Sequence, residues 1–360
     1  MSEKLNKFLC ENLNDLSSKI KLPEHDYLFN IADAASSVLE NEIGLYRPAC
    51  YSGTLGGLID FSSNNSELSS SSASFTEPLP LIIVPDLHAR CYFLQHILNY
   101  VLPLDFVSSN VNGVLERLTV FQGLQENKVR IVFVGDLLHS ELRCRARWLA
   151  ALQEFDSGIF DGKAMSEEMQ EGLLLLCMIM ELKVSFCKNV HILKGNHENI
   201  MNVRSPGDFP FRKFANEGEM VKDFMSKVYG DDVLMVISCF EKNLPLLASF
   251  DECVISHAEP KRFFSYHEIV NGMDSDEVIL GLTWTENNAA LLGSVQKMLK
   301  EFTKNPNSLY FGGHRPIQEN YSLRQNGKYV QIHNPDRENI VLVRPGKSIN
   351  LKNDIVNTAE

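Results

Sequence analysis

An α/β fold follows from three features of the 360-residue sequence. Short apolar runs rich in Ile, Val, Leu and Phe recur along the chain, and each delivers Asp, His or Asn at its end. Long stretches of helical periodicity separate them. The composition, 44% hydrophobic and 22% charged, is that of an ordinary globular protein. Apolar runs without alternation read as strands buried on both faces, and sheets of such strands are covered by helices.

In chain order, LNDLSSKIKL and DYLFNIADAASSVLENEI repeat apolar residues at helical spacing, so residues 1–61 are expected as an N-terminal helical segment. SSNNSELSSSSASF follows. It is too polar to bury surface, and residues 62–78 are expected as a Ser-rich flexible loop. Residues 79–345 read as the main domain and 346–360 as a C-terminal tail. Within the domain LPLIIVPD ends at Asp86 and VRIVFVGD at Asp136; NVHILKGNHE delivers Asn196 and His197; DECVISHAEP leads to His257 and SLYFGGHRP to His314. RCRARWLAALQEF and SEEMQEGLLLLCMIMELKVSF read as intervening helices. LLLLCMIM, closed by Glu181, is far short of the roughly 18–20 residues that span a bilayer, and reads as a buried helix. Asn-Gly within QNGK, between YSLR and YVQIH, predicts a hairpin.

The net charge of −12, from 34 basic and 46 acidic residues, argues against general nucleic-acid binding. It leaves an anionic substrate open, because bound metal ions carry positive charge of their own. The opening MSEKLNKFLC has no apolar stretch of signal-peptide length, and no segment reads as a membrane anchor. The 8 cysteines include no CxxC pair, so reduced thiols and a cytoplasmic location are expected.

The strand ends carry the chemistry. Ligands in α/β sheets bind beyond the carboxyl ends of strands. Carboxylates, imidazoles and an amide carbonyl, with no thiolate, suit divalent Mn, Fe or Zn. A bridging carboxylate can hold two such ions about 3.5–4 Å apart, an arrangement that serves in-line displacement at phosphorus. Alternation along an extended segment would put Asp86 and His88 on one side. Gly312 and Gly313 allow close backbone approach beside His314.

The series DLH, GD, GNHE, SHAEP and GGH resembles the calcineurin-like metallophosphoesterase superfamily, and within it the phosphoprotein-phosphatase (serine/threonine phosphatase-like) branch. The pattern of that branch runs GDxHG, GDxxDRG, GNHE, HxG and GH. The likeness covers roughly residues 79–345. It implies a β-sandwich of mixed sheets flanked by helices, and a dinuclear metal-dependent phosphoesterase. Asp86 and His88 would bind the first metal, Asp136 would bridge both, and Asn196, His257 and His314 would complete the second site. His197 would be the general acid. The activity implied is attack of a metal-activated water on a phosphomonoester, carried by a small molecule or a phosphoprotein. The alternatives are a phosphodiesterase or dinucleoside polyphosphate hydrolase, and a non-catalytic metal-binding regulatory module.

This sequence departs from the pattern at three places. Pro85 and Ala89-Arg90 stand where glycines are expected. His139 and Ser140 replace the Asp and Arg of DRG, and no Arg lies between Trp284 and Tyr310. Arg90, Arg143 and Arg315, with Arg145 and Arg204 behind them, are therefore the candidate phosphate-holding cations. Glu141 or Glu259 is the candidate carboxylate partner for His197, and His139 with Glu141 is expected just outside the metal ligands. His333, after YVQI, is open between a further site residue and a structural histidine. His25, His96, His191 and His267 are expected to be structural.

Overall fold

The computed structural model describes residues 21–63, 78–111, 114–205 and 207–359. LNDLSSKIKL and the serine-rich stretch fall almost wholly outside the described residues. The strands, in chain order, are β1 (Leu58–Asp60), β2 (Leu81–Val84), β3 (Ser108–Val111), β4 (Val114–Arg117), β5 (Arg130–Phe133), β6 (Val190–Ile192) and β7 (Leu247–Ser249). They continue with β8 (Cys253–Ser256), β9 (Leu309–Gly312), β10 (Ser322–Arg324), β11 (Tyr329–Gln331), β12 (Asn339–Val343) and β13 (Ile355–Asn357). The longer helices are α1 (His25–Glu40), α2 (Cys91–Asn99), α3 (Arg145–Asp156), α4 (Lys163–Ser185), α5 (Glu217–Phe224), α6 (Asp231–Asn243), α7 (Asp276–Thr283) and α8 (Ser294–Phe302).

Two mixed sheets result. One has five strands in the order β13-β12-β2-β5-β6, the other six in the order β1-β7-β8-β9-β11-β10. β2, β5 and β6 run parallel, as do β8, β9 and β11. All five polar-ended runs therefore become strands, three in one sheet and two in the other. Period-two alternation sorts their side chains. Leu81 and Ile83 join Ile255, Phe311 and Val330 in a core shared by the two sheets. Ile82, Val84, Ile131 and Phe133 face the opposite way, into a layer built by α1 to α6. Val254 and Tyr310 of the six-stranded sheet pack on α7 and α8.

Helix α4 carries LLLLCMIM and is buried on nearly every side, packed against α1, α2 and α3. The segment after α1 is pinned to it by a buried ionic cluster. Glu42 takes Arg47 at 3.1 Å and also pairs with Lys183, and each of the three is wholly or almost wholly buried. The QNGK turn closes an antiparallel β10–β11 hairpin, with Gln325, Asn326 and Gly327 all at positive φ. Two expectations differ. β1 lies inside the segment expected to be helical, and β13 inside the expected tail; each is a three-residue strand whose pairing depends on a distant partner, β7 or β12. No helix among the described residues is long and apolar enough to cross a membrane.

Candidate metal centre

The loops that leave β2, β5, β6, β8 and β9 meet at one rim between the sheets. The first two are stitched together by backbone bonds from His88 N to Asp136 O (2.9 Å) and from Ala89 N to Leu137 O (2.8 Å). His88, Ala89, Asp136 and His314 adopt left-handed φ of 46°, 58°, 55° and 66°. Such a conformation costs a non-glycine residue about 1–2 kcal/mol, and strain of this kind gathers at functional sites. Asp86 and His88 thus come together through a left-handed turn rather than the extended alternation expected, with Oδ2 4.0 Å from Nε2.

Glycine is needed where these loops touch. A Cβ on Gly313 would overlap Asp86 Oδ1, and one on Gly135, at φ 106°, would strike the backbone of Gly195. Buried Glu198 ties the β5 and β6 loops together by accepting from Asp136 N and Leu137 N at 2.9 Å each and from Gly195 N at 2.7 Å.

The ligand-type atoms converge. Asp86 Oδ2 accepts from His314 N (2.8 Å) and Asp136 Oδ1 from His197 N (2.9 Å). The second oxygens, Asp86 Oδ1 and Asp136 Oδ2, are buried without a hydrogen-bond partner. His88 Nδ1 donates to His139 O (2.8 Å) and His257 Nδ1 to Val134 O (3.0 Å). Carbonyls only accept, so each ring carries a proton on Nδ1 and turns its Nε2 inward toward the cluster. Asn196 Oδ1 lies 2.9 Å from His257 Nε2 and 2.8 Å from His314 Nδ1. Asp136 Oδ2 is 3.3 Å from His257 Nε2 and 3.6 Å from His88 Nε2. Asp136, His257 and His314 form one cluster able to hold a cation, and Asp86, His88 and His333 another.

Electrostatics agree with the donor set. Burial raises the Asp136 carboxyl, yet His257, His197 and His88 hold it well below the usual carboxylate range. Burial lowers His257, but Asp136 and Asp86 overcome it and lift the imidazole to about 9. A positive charge is therefore strongly favoured where these groups meet. Two buried carboxylates with unpartnered oxygens are costly without a cation to compensate them, and hard oxygen with imidazole nitrogen suits a divalent one.

His197 stands at the edge of this cluster, Nε2 3.9 Å from Asp136 Oδ2, with Phe211 edge-on at 4.6 Å. Its Nδ1 has no hydrogen-bond partner. Glu141 does not reach it: that carboxylate meets His333 Nε2 (2.9 Å), Lys213 Nζ (3.1 Å) and His88 Nε2 (3.5 Å). Glu259 is turned away to Gln325 (2.8 Å) and Arg324 (3.4 Å). The expectation that either would partner His197 is corrected accordingly. His139 packs as an aromatic group between Phe211 and Trp148 and beside His197 (5.3 Å), both ring nitrogens unpartnered. Burial and nearby His88 push its imidazole down to about 3, so it is neutral. Ser140 is held away from the site by Glu168, which Arg147 neutralises.

The candidate phosphate-holding arginines fare differently from one another. Arg90 spends its guanidinium on the carbonyls of Leu87, Asp86 and Pro335, and Arg143 turns to the His88 and Ala89 carbonyls and Glu171. Neither fork is left for a phosphate, which corrects both assignments. Arg145 and Arg204 are exposed. Arg315 sits at the rim in an ion pair with Glu286. Lys213, which the sequence reading missed, reaches the centre from the loop after GNHEN through its contact with Glu141. His333, wholly buried, joins Asp86 and His88. His25, His96, His191 and His267 have partners of their own in Asp26, Glu338, Lys188 O and Tyr51.

Among solved structures, a protein serine/threonine phosphatase from Saccharomyces cerevisiae, described as similar to human phosphatase PP5, matches 99% of this chain and 95% of its own at 15% identity and a TM-score of 0.57. Two structures of cold-active protein tyrosine phosphatase, one from a psychrophilic Shewanella species, match 74% of this chain at 13% identity. Their TM-scores of 0.39 and 0.41 are too low to carry an argument. No protein-family model matches the chain, and no curated protein matches it. The mixed α/β architecture, with its two packed sheets and flanking helices, is thus a fold similar to that of a solved serine/threonine phosphatase.

Proposed function

We propose that this chain is a dinuclear metal-dependent phosphoesterase of the calcineurin-like type, hydrolysing phosphomonoesters, with phosphoserine or phosphothreonine among the candidate substrates. The observation that carries the reading is the meeting of Asp86, His88, Asp136, Asn196, His257 and His314 at one buried rim, with carboxylate oxygens left unpartnered. Asp86 and His88 would hold the first ion, Asp136 both, and Asn196, His257 and His314 the second. Two such ions, when bound, neutralise phosphate charge and lower the pKa of water for attack at phosphorus.

The chain's own groups do the rest. His197 faces the centre and supplies the proton that the leaving oxygen takes as its bond to phosphorus breaks. Phe211 excludes water from one face of that ring and, with Asn202, Arg212 and Glu219, lines an adjoining cavity of about 250 Å³. Lys213 and Arg315 supply positive charge for the phosphate oxygens, in place of the missing DRG arginine.

A second reading, hydrolysis of a phosphodiester or of a dinucleoside polyphosphate, draws on the bare Nδ1 of His197. With no carboxylate at Nδ1 to support the protonated ring, a leaving group that needs little protonation, such as an anhydride phosphate, reacts more easily. Assay of para-nitrophenyl phosphate, its bis-ester, a phosphoserine peptide and a dinucleoside polyphosphate with added Mn2+ separates these. Faster turnover of both monoesters supports the first reading. Turnover of the bis-ester or dinucleotide alone reverses the order. No turnover of any, with metal bound and His197→Ala indistinguishable from the parent, leaves a non-catalytic metal-binding module.

A further inference from the structure

The pattern that the sequence resembles accounts for a single histidine at the first metal. A second histidine stands at the same place. The parallel register of β9 and β11 pairs Gly312 with Gln331, so His314 and His333, each two residues further on, leave the same rim side by side. The bond from Ile332 N to Gly312 O (2.9 Å) keeps that register to the strand ends. One histidine turns toward Asn196 and the other toward Asp86.

His333 is wholly buried. Its Nε2 is 2.9 Å from Glu141 Oε2. A carboxylate only accepts, so the ring proton sits on Nε2 and the Nδ1 lone pair points the other way. Lys213, 3.1 Å from the second Glu141 oxygen, supports the ionised form of that carboxylate. Nδ1 has no hydrogen-bond partner, lies 4.0 Å from Asp86 Oδ2, and shares a ligand-sized cluster with Asp86 and His88. Leaving a buried acceptor without a donor is unfavourable, and here that lone pair faces Asp86 and His88. A carboxylate behind one ring nitrogen and an open lone pair on the other is how metal-ligating histidines are held.

We infer that His333 is a ligand of the first metal through Nδ1, with Glu141 as its positioning residue, giving that ion two imidazoles and the carboxylates of Asp86 and Asp136. The inference rests on the dinuclear reading above. It matches the two metals in ligand type, each with two imidazole nitrogens, and so favours Zn2+, Fe2+ or Mn2+ over Mg2+ at both.

The test is Zn2+ titration of the full chain by calorimetry, on protein stripped with chelator, for the parent, His333→Ala, Glu141→Gln and His257→Ala. The parent is expected to bind two equivalents. His333→Ala is expected to keep one tight equivalent and lose more than 100-fold in affinity for the other. Glu141→Gln weakens the same site by about 10- to 100-fold. His257→Ala weakens the opposite site, so His333→Ala with His257→Ala together bind neither tightly. Two equivalents in His333→Ala at parental affinity overturn the inference while leaving the dinuclear reading intact; no binding by the parent overturns both. Should His333→Ala fail to fold, the Zn2+-loaded parent labelled with 15N-histidine decides the matter. A metal-shifted Nδ1 and a protonated Nε2 at His333 support the ligand role, and an unshifted Nδ1 overturns it.

Discussion

Asp136→Asn probes the centre most sharply, because it removes one charge and almost no volume. Asp136 Oδ1 would still accept from His197 N, as an amide oxygen can. Oδ2, which faces His257, His88 and His197, would become an NH2 group pointing at the same nitrogens. The field at that point can be gauged from His257, which the carboxylates of Asp136 and Asp86 lift from 6.5 to about 9 against the pull of burial. That shift is worth on the order of 3 kcal/mol for one positive charge. A divalent ion feels the same field with twice the charge and in addition loses a ligand atom. Affinity for at least one metal should therefore fall by 100-fold or more. Calorimetry or competition with a chromophoric chelator reads this directly, with far-UV circular dichroism to show that the fold persists. Two metals bound within threefold of parental affinity would refute the reasoning.

Three further outcomes are expected. His139→Phe keeps the contacts with Phe211 and Trp148 but removes a ring whose pKa is pushed from 6.5 down to about 3. That group's stabilising share is present above 6.5 and is lost as the pH falls toward 3. Between pH 6.5 and 5 the parent should lose about 2 kcal/mol more than the variant, measured by urea unfolding of chelator-treated protein; parallel losses would count against it. Lys213→Gln should raise KM for a phosphomonoester about 10- to 100-fold, the worth of one hydrogen bond to a charged group, with both metals retained; an unchanged KM removes Lys213 from phosphate binding. Gly313→Ala places a methyl against Asp86 Oδ1 and should cost about 1–3 kcal/mol of stability along with metal affinity, read by urea midpoint and Zn2+ titration.

The strands and their polar ends were legible in sequence because one physical signal carries both. A run such as VRIVFVGD is buried on both faces up to the point where it meets the rim, and only there can it carry a carboxylate. The QNGK hairpin was legible for the same local reason, since its backbone needs positive φ. Arg90 and Arg143 were misjudged because nearness along the chain says nothing about where a fork points. Arg90 is four residues from Asp86 and bonds its carbonyl, not the site. Lys213 carries no motif; it enters on a loop whose path is set by Phe211 and Asn202 contacts rather than by periodicity. His333 did follow a strand, as His314 does, but only the β9–β11 register puts the two side by side. β1 and β13 are too short to show a pattern of their own.

The central claim is a two-metal centre, and the metal content of the protein purified without chelator addresses it most directly. Elemental analysis should find two equivalents of Zn, Fe or Mn per chain, falling to about one or none in Asp136→Asn. A parent with no bound metal, even after reloading with each of these ions, would contradict it.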